Sequence, residues 1–576
     1  MSDKQGQRIS GGEILLEQLL LQGVDTVFGY PGGAIMPVYD RLYDYMDRLR
    51  HVLVRHEQGA IHAAQGYARV KGKPGFVMVT SGPGGTNVIT GVADAMIDST
   101  PVVVVAGQVS SSLLGTDAFQ ETDLIGMTTP ITKWSYQIRR PEDVAWAVAR
   151  AFYIAGSGRP GPVVLDFTKD AQIGYAEFIP QHCGFIRSYV PAPEPSDAVL
   201  QQAAEWINAA KKPFVVYGQG IILSGAEQEL SAFLDKADIP AGSTLLGLSA
   251  LDSANPHFMG MLGMHGNLAP NIMTQECDLL IAVGMRFDDR VTGRLDTYAR
   301  NAKVIHIDID PSELGKNVPV DLGILGDAKH VLARLTEMIA PRTSPDWAME
   351  SILCNAVEKH KVIDPEIHPE EGPINPGEVI AAVAKACGGD AVILTDVGQN
   401  QMLAARYSRF VRSRSFISSG GLGTMGFGLP AAIGAKIGAP ERTVIAFIGD
   451  GGLQMTLQEL GTIMQEGTGV KIVLLNNNWL GNVRMWQKLF FKERYSCTRM
   501  LNPDFQGIAR AYGIPCVPVE TREQLAPAIE RMLSDDKPFI LNAHVREESM
   551  VFPMIPPGKS VDEIMLNEKD WFEYGD

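Results

Sequence analysis

Two side chains with oxygen donors, Asp450 and Asn477, each end an apolar run. Asp450 lies in Gly449-Asp-Gly-Gly452, after Val444 to Ile448, and Asn477 closes Lys471-Ile-Val-Leu-Leu-Asn-Asn477. A buried strand that ends in a carboxylate and a second that ends in an amide oxygen supply the hard donors that Mg²⁺ accepts while holding a diphosphate. Gly451 and Gly452 let backbone N–H groups approach phosphate closely. A Gly-Asp-Gly turn alone is common where a strand passes into a helix. The Asn after a second strand turns the pattern into a metal-diphosphate cradle.

Such a cradle needs strands to carry it. Short buried runs recur along all 576 residues, among them Phe76 to Thr80, Pro101 to Ala106, Val163 to Asp166, Phe214 to Tyr217, Leu279 to Val283 and Val304 to Asp308. They continue with Val392 to Thr395, Val444 to Ile448, Ile472 to Asn476 and Phe539 to Asn542. Strands alternating with helical stretches predict parallel sheets. The predicted fold class is α/β: three doubly wound parallel-sheet domains over 1–185, 197–342 and 377–548, with a C-terminal tail over 549–576. The Pro-rich Val190 to Ser196 reads as one linker and the polar stretch Pro341 to Pro376 as another. The first and third domains echo each other in Phe76-Val-Met-Val-Thr-Ser-Gly-Pro-Gly-Gly85 and Val444-Ile-Ala-Phe-Ile-Gly-Asp-Gly-Gly452, both strand, Gly turn, helix start. Binding is expected at the carboxyl ends of such strands.

Bulk properties narrow the class. The net charge is −16, which excludes a nucleic-acid surface and requires a local basic pocket for any anionic substrate. The cysteines at 183, 277, 354, 387, 497 and 516 show no metal-ligand spacing and read as thiols of a reducing, cytoplasmic compartment. No stretch is long and apolar enough to span a membrane, and the N-terminal residues show no targeting pattern.

The Asp450–Asn477 spacing resembles the thiamine diphosphate signature. Glu57, in Arg55-His-Glu-Gln-Gly-Ala60, fits the glutamate that such enzymes use to protonate the aminopyrimidine of the cofactor. Further stretches make the resemblance specific: Phe28-Gly-Tyr-Pro-Gly-Gly-Ala-Ile-Met-Pro37, Gly115-Thr-Asp-Ala-Phe-Gln-Glu121, Arg286-Phe-Asp-Asp-Arg-Val-Thr-Gly293 and Ser419-Gly-Gly-Leu-Gly-Thr-Met-Gly-Phe-Gly-Leu-Pro430. With Thr80-Ser-Gly-Pro-Gly84, Ser157-Gly-Arg-Pro-Gly-Pro162 and Gly260-Met-Leu-Gly-Met-His-Gly266, nearly the whole chain resembles the catalytic large subunit of acetohydroxyacid synthase, also called acetolactate synthase.

The resemblance implies roles for particular residues. Gly33, Phe119, Gln120 and Lys169 would lie at the active centre with Glu57. Gln399, Asn400, Gly451 and Gly452 would meet the diphosphate, and Gly423 and Met425 the aminopyrimidine. Asp450, Asn477 and the backbone carbonyl of Trp479 would ligate Mg²⁺. A flavin, FAD, is implied at Arg159, Gly218, Gly220, Thr244, Leu245, Leu262, Met264, His265, Gly284, Arg286, Asp288, Arg290, Asp308 and Asp327. Arg290, Trp486 and Met264 would handle substrate. A guanidinium fork suits a planar carboxylate, although Arg290 beside Asp288 and Asp289 also reads as a surface ion pair. Trp486 and Met425 equally read as core residues.

The implied reaction decarboxylates pyruvate and joins the resulting hydroxyethyl carbanion to pyruvate or 2-oxobutyrate. The products are 2-acetolactate or 2-aceto-2-hydroxybutyrate, precursors of valine, leucine and isoleucine. A homodimer or homotetramer with sites at the dimer interface, and a separate small regulatory subunit, are implied as well. A flavin-dependent pyruvate oxidase and a catalytically silent regulatory homologue are the rivals. Departures from the family pattern are Thr168, Asn400, Asn482, Met485 and one extra residue between Gly33 and Glu57; Asn482 and Met485 are expected to alter the pocket.

Overall fold

The computed structural model describes residues 4–343 and 345–570; the outermost residues of the expected first domain and tail lie outside these. Three six-stranded sheets, all parallel, form the frame. Their strands are short runs of Val, Ile, Leu and Phe buried on both faces, the pattern that helices covering both sides impose.

Strand order separates the domains into two kinds. In the first, the order across the sheet is Arg50–Leu53, Thr26–Gly29, Gly75–Val79, Val102–Gln108, Pro162–Thr168 and Trp134–Ile138. In the third it is Phe416–Ile417, Val392–Thr395, Val444–Gly449, Val470–Asn476, Phe539–His544 and Cys516–Val519. Numbered within each domain, both read 2-1-3-4-6-5, so the echo in the sequence is a shared topology. The middle sheet runs Phe258–Met261, Ala241–Ser243, Pro213–Tyr217, Leu279–Val283, Lys303–Asp308 and Leu322–Leu325, the 3-2-1-4-5-6 order of dinucleotide-binding folds. Each sheet therefore reverses direction of winding beside its first strand, and a crevice opens there at the carboxyl ends.

The first and third domains meet through helices Glu57–Lys71 and Gly428–Gly438. They cross at glycines: a methyl group on Gly66 would collide with the Ala431 carbonyl oxygen, and one on Gly434 with that of Ala63. The stretch expected as a polar connection is largely helical, with Pro345–Glu358 and Asp364–Ile367. It is ordered by burial of two anchors. Trp347 donates from Nε1 to the Pro213 carbonyl at 2.8 Å, and Glu358 pairs with the buried Arg406 at 2.5 Å. The tail folds back onto the middle domain, where the Ile555 N–H donates to the Met264 carbonyl at 2.8 Å.

Candidate active site

The third domain builds the cradle next to its switch point, at the ends of the two strands that follow it. Register between Val444–Gly449 and Val470–Asn476 places Gly449 opposite Leu475, so the following residues, Asp450 and Asn477, leave neighbouring strands at one edge. Asp450 is buried, and that burial pushes its carboxyl above the usual range, opposed by hydrogen bonds. Its Oδ2 accepts from the Asn478 N–H and from Asn502 Nδ2, each at 2.7 Å, and Oδ1 from the Gly451 N–H at 3.0 Å. Asn477 Oδ1 accepts from the Trp479 N–H at 3.1 Å. Oδ1 of each residue thus keeps lone-pair capacity beyond its protein bond. This all-oxygen donor set fits Mg²⁺.

Helix Gln399–Tyr407 starts beside this edge, capped by Gly398 at φ +139°, a backbone state open to glycine. Gln399 Nε2 donates to the Ser549 carbonyl at 2.6 Å and Asn400 Nδ2 to the Phe447 carbonyl at 2.9 Å, fixing the first turn. Met425 lies against Gly451, since a methyl group on that glycine would stand 3.6 Å from Met425 Cε. One residue that sequence reasoning left without a role organises the turns around it. Asp396, fully buried, accepts from the N–H groups of Val397 (2.8 Å), Gly426 (3.0 Å) and Gly428 (3.0 Å). A methyl group on Gly452 would approach its Oδ1 to 2.5 Å. Its signal was present, a carboxylate directly after the Val392–Thr395 strand. Asn502 was also missed; it comes from a distant loop with no local pattern to mark it.

The first domain gathers a second group at the carboxyl ends of its own strands. Glu57 opens helix Glu57–Lys71, whose N-cap His56 accepts from the Gln58 N–H at 3.1 Å. Asn87 Nδ2 donates to Glu57 Oε2 at 2.9 Å, which orients the carboxylate. The Gly33 loop is tied down where the Ala34 N–H donates to Thr80 Oγ1 at 3.3 Å. Gln120 takes φ +60° and packs against Gly82. Lys169 and Phe119 are exposed, the latter by 89%. No hydrogen bond or ion pair among the described residues joins Glu57 to Asp450 or Asn477.

The middle domain and its neighbours enclose a cavity of about 520 Å³. Its switch-point floor is glycine: methyl groups on Gly218 and Gly220 would both run into Gly284. Gly220, Thr244, Leu245, Leu262, Met264 and His265 line it, with Gly284, Arg286, Asp288, Arg290, Asp308 and Asp327. Arg159 enters from the first domain, paired through Nη1 with Glu313 at 2.6 Å and Asp310 at 3.2 Å. Gly423 and Trp486 line it from the third. Burial pushes the Asp308 carboxyl up to about 6 and the His265 imidazole down to about 3, so the latter is neutral at pH 7. Among the described residues the buried His265 Nδ1 has no hydrogen-bond partner. A cavity with glycine at the strand ends and a few polar groups suits an extended dinucleotide.

Arg290 reaches the same cavity. It holds Asp289 only loosely, at 3.8 Å with both side chains exposed, and its Nη1 lies 3.5 Å from Met264 Sδ. A second cavity continues outward and shares Arg290, Asn482 and Trp486 with the first. Asn482 therefore shapes the pocket. Met485 does not line it; the side chain is fully buried in the third-domain core, and its Sδ accepts from the Val551 N–H at 3.3 Å. The Trp479 ring faces away from any ligand role and bonds Glu547 through Nε1 at 3.1 Å.

Comparison with known proteins follows this division. Residues 9–127 match the family described as thiamine pyrophosphate enzyme, N-terminal TPP binding domain; residues 200–335 match its central domain, and 396–543 its C-terminal TPP binding domain. The chain is 46% identical to an acetolactate synthase large subunit of Parasynechococcus marenigrum, over 96% of this chain and 90% of the relative. It is 44% identical to the acetolactate synthase large subunit of Lactococcus lactis, over 96% of each. Identity is also 44% to the acetolactate synthase isozyme 2 large subunit of Escherichia coli, over 97% of this chain and 99% of the relative.

Proposed function

We propose a residue-level account from one premise: this chain belongs to the thiamine pyrophosphate enzymes and, among them, to the acetolactate synthase large subunits. The activity is acetolactate synthesis. One pyruvate loses CO₂ and its remaining two-carbon unit joins a second pyruvate or 2-oxobutyrate. The observation that carries the account is the buried Asp450–Asn477 pair beside the third domain's switch point, with its unspent oxygen lone pairs.

Thiamine diphosphate, when bound, supplies the carbon nucleophile and the electron sink for decarboxylation. In our reading Asp450 and Asn477 hold Mg²⁺, joined by the Trp479 carbonyl. Gln399, Asn400, Gly451 and Gly452 present donors to the diphosphate, and Gly423 and Met425 shape the seat of the aminopyrimidine. Glu57 moves a proton through Oε1, because Asn87 occupies Oε2. The middle cavity holds FAD. Arg290 binds the acceptor carboxylate, and Trp486 packs against its alkyl end. Gly33, Phe119, Gln120 and Lys169 close the centre from the first domain. As the family resemblance implies, Glu57 of one copy faces the cradle of a second, and the working unit is at least a homodimer. A separate small subunit is the further partner, in keeping with the relatives' description as large subunits.

Product analysis tests this. Purified chain given pyruvate, thiamine diphosphate, Mg²⁺ and FAD should form 2-acetolactate, and adding 2-oxobutyrate should divert product to 2-aceto-2-hydroxybutyrate. Oxygen uptake matching CO₂ release, without either condensation product, would point to an oxidase instead. Among the described residues no helix is long and apolar enough to cross a membrane.

A further inference from the structure

The loop Ser418 to Thr424 belongs to the third domain but hangs from three side chains of the first. Asp94 lies on helix Ile89–Ile97 and Asp98 follows at its C-cap; both are buried, as is Arg69. Asp98 accepts from the N–H groups of Gly420 (2.9 Å) and Gly421 (2.7 Å) and pairs with Arg69 Nη2 at 2.9 Å. Arg69 Nη1 donates to the Ser418 carbonyl at 2.6 Å. Asp94 Oδ1 accepts from Thr424 Oγ1 at 3.0 Å and from Ser419 Oγ, which itself accepts from the Thr424 N–H at 2.8 Å. The other side of the loop, Gly420 to Gly423, forms a wall of the main cavity. Met425 and the Asp396 turn follow directly, so one loop separates the two cofactor regions.

Two buried carboxylates against one guanidinium is a costly way to hold a domain contact. Apolar side chains of similar volume would stabilise it as well or better. What the charges add is direction: charge-assisted bonds to chosen backbone groups fix where a flexible Gly-Gly-Leu-Gly loop stands. Burial raises both carboxyls above the usual range while Arg69 opposes it. We propose that Asp94, Asp98 and Arg69 are positioning residues that set the Ser418–Thr424 loop as the wall shared by the flavin cavity and the thiamine diphosphate seat. This rests on the FAD reading above.

The test uses the full chain and two readouts, FAD titration by flavin fluorescence and amide exchange at Gly420 and Gly421. Asp98→Asn keeps the shape but puts an amide N–H against a backbone N–H. It should weaken FAD by about tenfold, the scale of one lost bond to a charged group, and speed exchange at both glycines. Thr424→Val removes one hydroxyl without stranding a charge and should loosen FAD in the same direction by a smaller factor. The triple variant Arg69→Met with Asp94→Asn and Asp98→Asn removes all three buried charges and should recover melting temperature but not FAD affinity; a purely structural cluster would recover both. Should Asp98→Asn not fold, the other two variants decide. Wild-type FAD affinity and glycine protection in the folded variants would overturn the proposal. If the wild-type chain itself binds no FAD, the flavin reading fails, and the exchange rates alone judge the clamp.

Discussion

Glu57 has one carboxylate oxygen committed to Asn87 and one left over, in keeping with the proton-transfer role proposed for it. Glu57→Gln preserves the bond and removes the acid. Turnover should fall by about 10²–10⁴ with the fold intact, and activity close to wild type would sink the assignment. Trp486 and Arg290 make a paired prediction. An indole packed on the extra methyl group of 2-oxobutyrate is worth about 1–3 kcal/mol in preference. Trp486→Leu should therefore lower the ratio of acetohydroxybutyrate to acetolactate several-fold while pyruvate use persists. Arg290→Lys should weaken both acceptors alike, since both carry the carboxylate. Competition with both oxoacids separates the two, and an unchanged ratio in the Leu variant would reduce Trp486 to packing against Phe490. Such residues were singled out through the family resemblance, since alone Arg290 reads as a surface ion pair and Trp486 as core. Asp396 and Asn502 were not, since their importance lies in which turns they join.

At the scale of elements, the helix pair Glu57–Lys71 and Gly428–Gly438 makes the sharpest case. Glycine inside a helix ordinarily weakens it by roughly 0.5–1 kcal/mol against alanine. At Gly434 that preference should reverse. An added methyl group overlaps the Ala63 carbonyl oxygen, so the helices must separate, and overpacking of this kind costs about 1–3 kcal/mol. Gly434→Ala should lower the melting temperature by several degrees despite its better helix propensity; a rise would mean the crossing is looser than described. The parallel strands were readable from their doubly buried apolar runs. The helices between Pro341 and Pro376 were not, because their composition is polar and their order comes from Trp347 and Glu358 finding partners in other domains.

For the whole molecule, one copy is proposed to supply Glu57 to the cradle of another, and Phe119, Met455 and Met464 stand exposed on the single chain. Sedimentation should show at least a dimer in the active preparation, strengthened by Mg²⁺ and thiamine diphosphate through linkage. Full activity in a monomer would contradict the shared site. The sequence by itself determined the α/β class, the cradle pair and the family resemblance, because apolar period, glycine turns and strand-end polar residues are local properties. Tertiary structure decided the rest. It showed that the outer domains share one strand order and the middle one another, placed thirteen of the fourteen flavin candidates, from two domains, around one cavity, and moved Met485 into the core while leaving Asn482 in the pocket. These depend on contacts between residues hundreds of positions apart, which burial and hydrogen-bond satisfaction select only once the chain is packed.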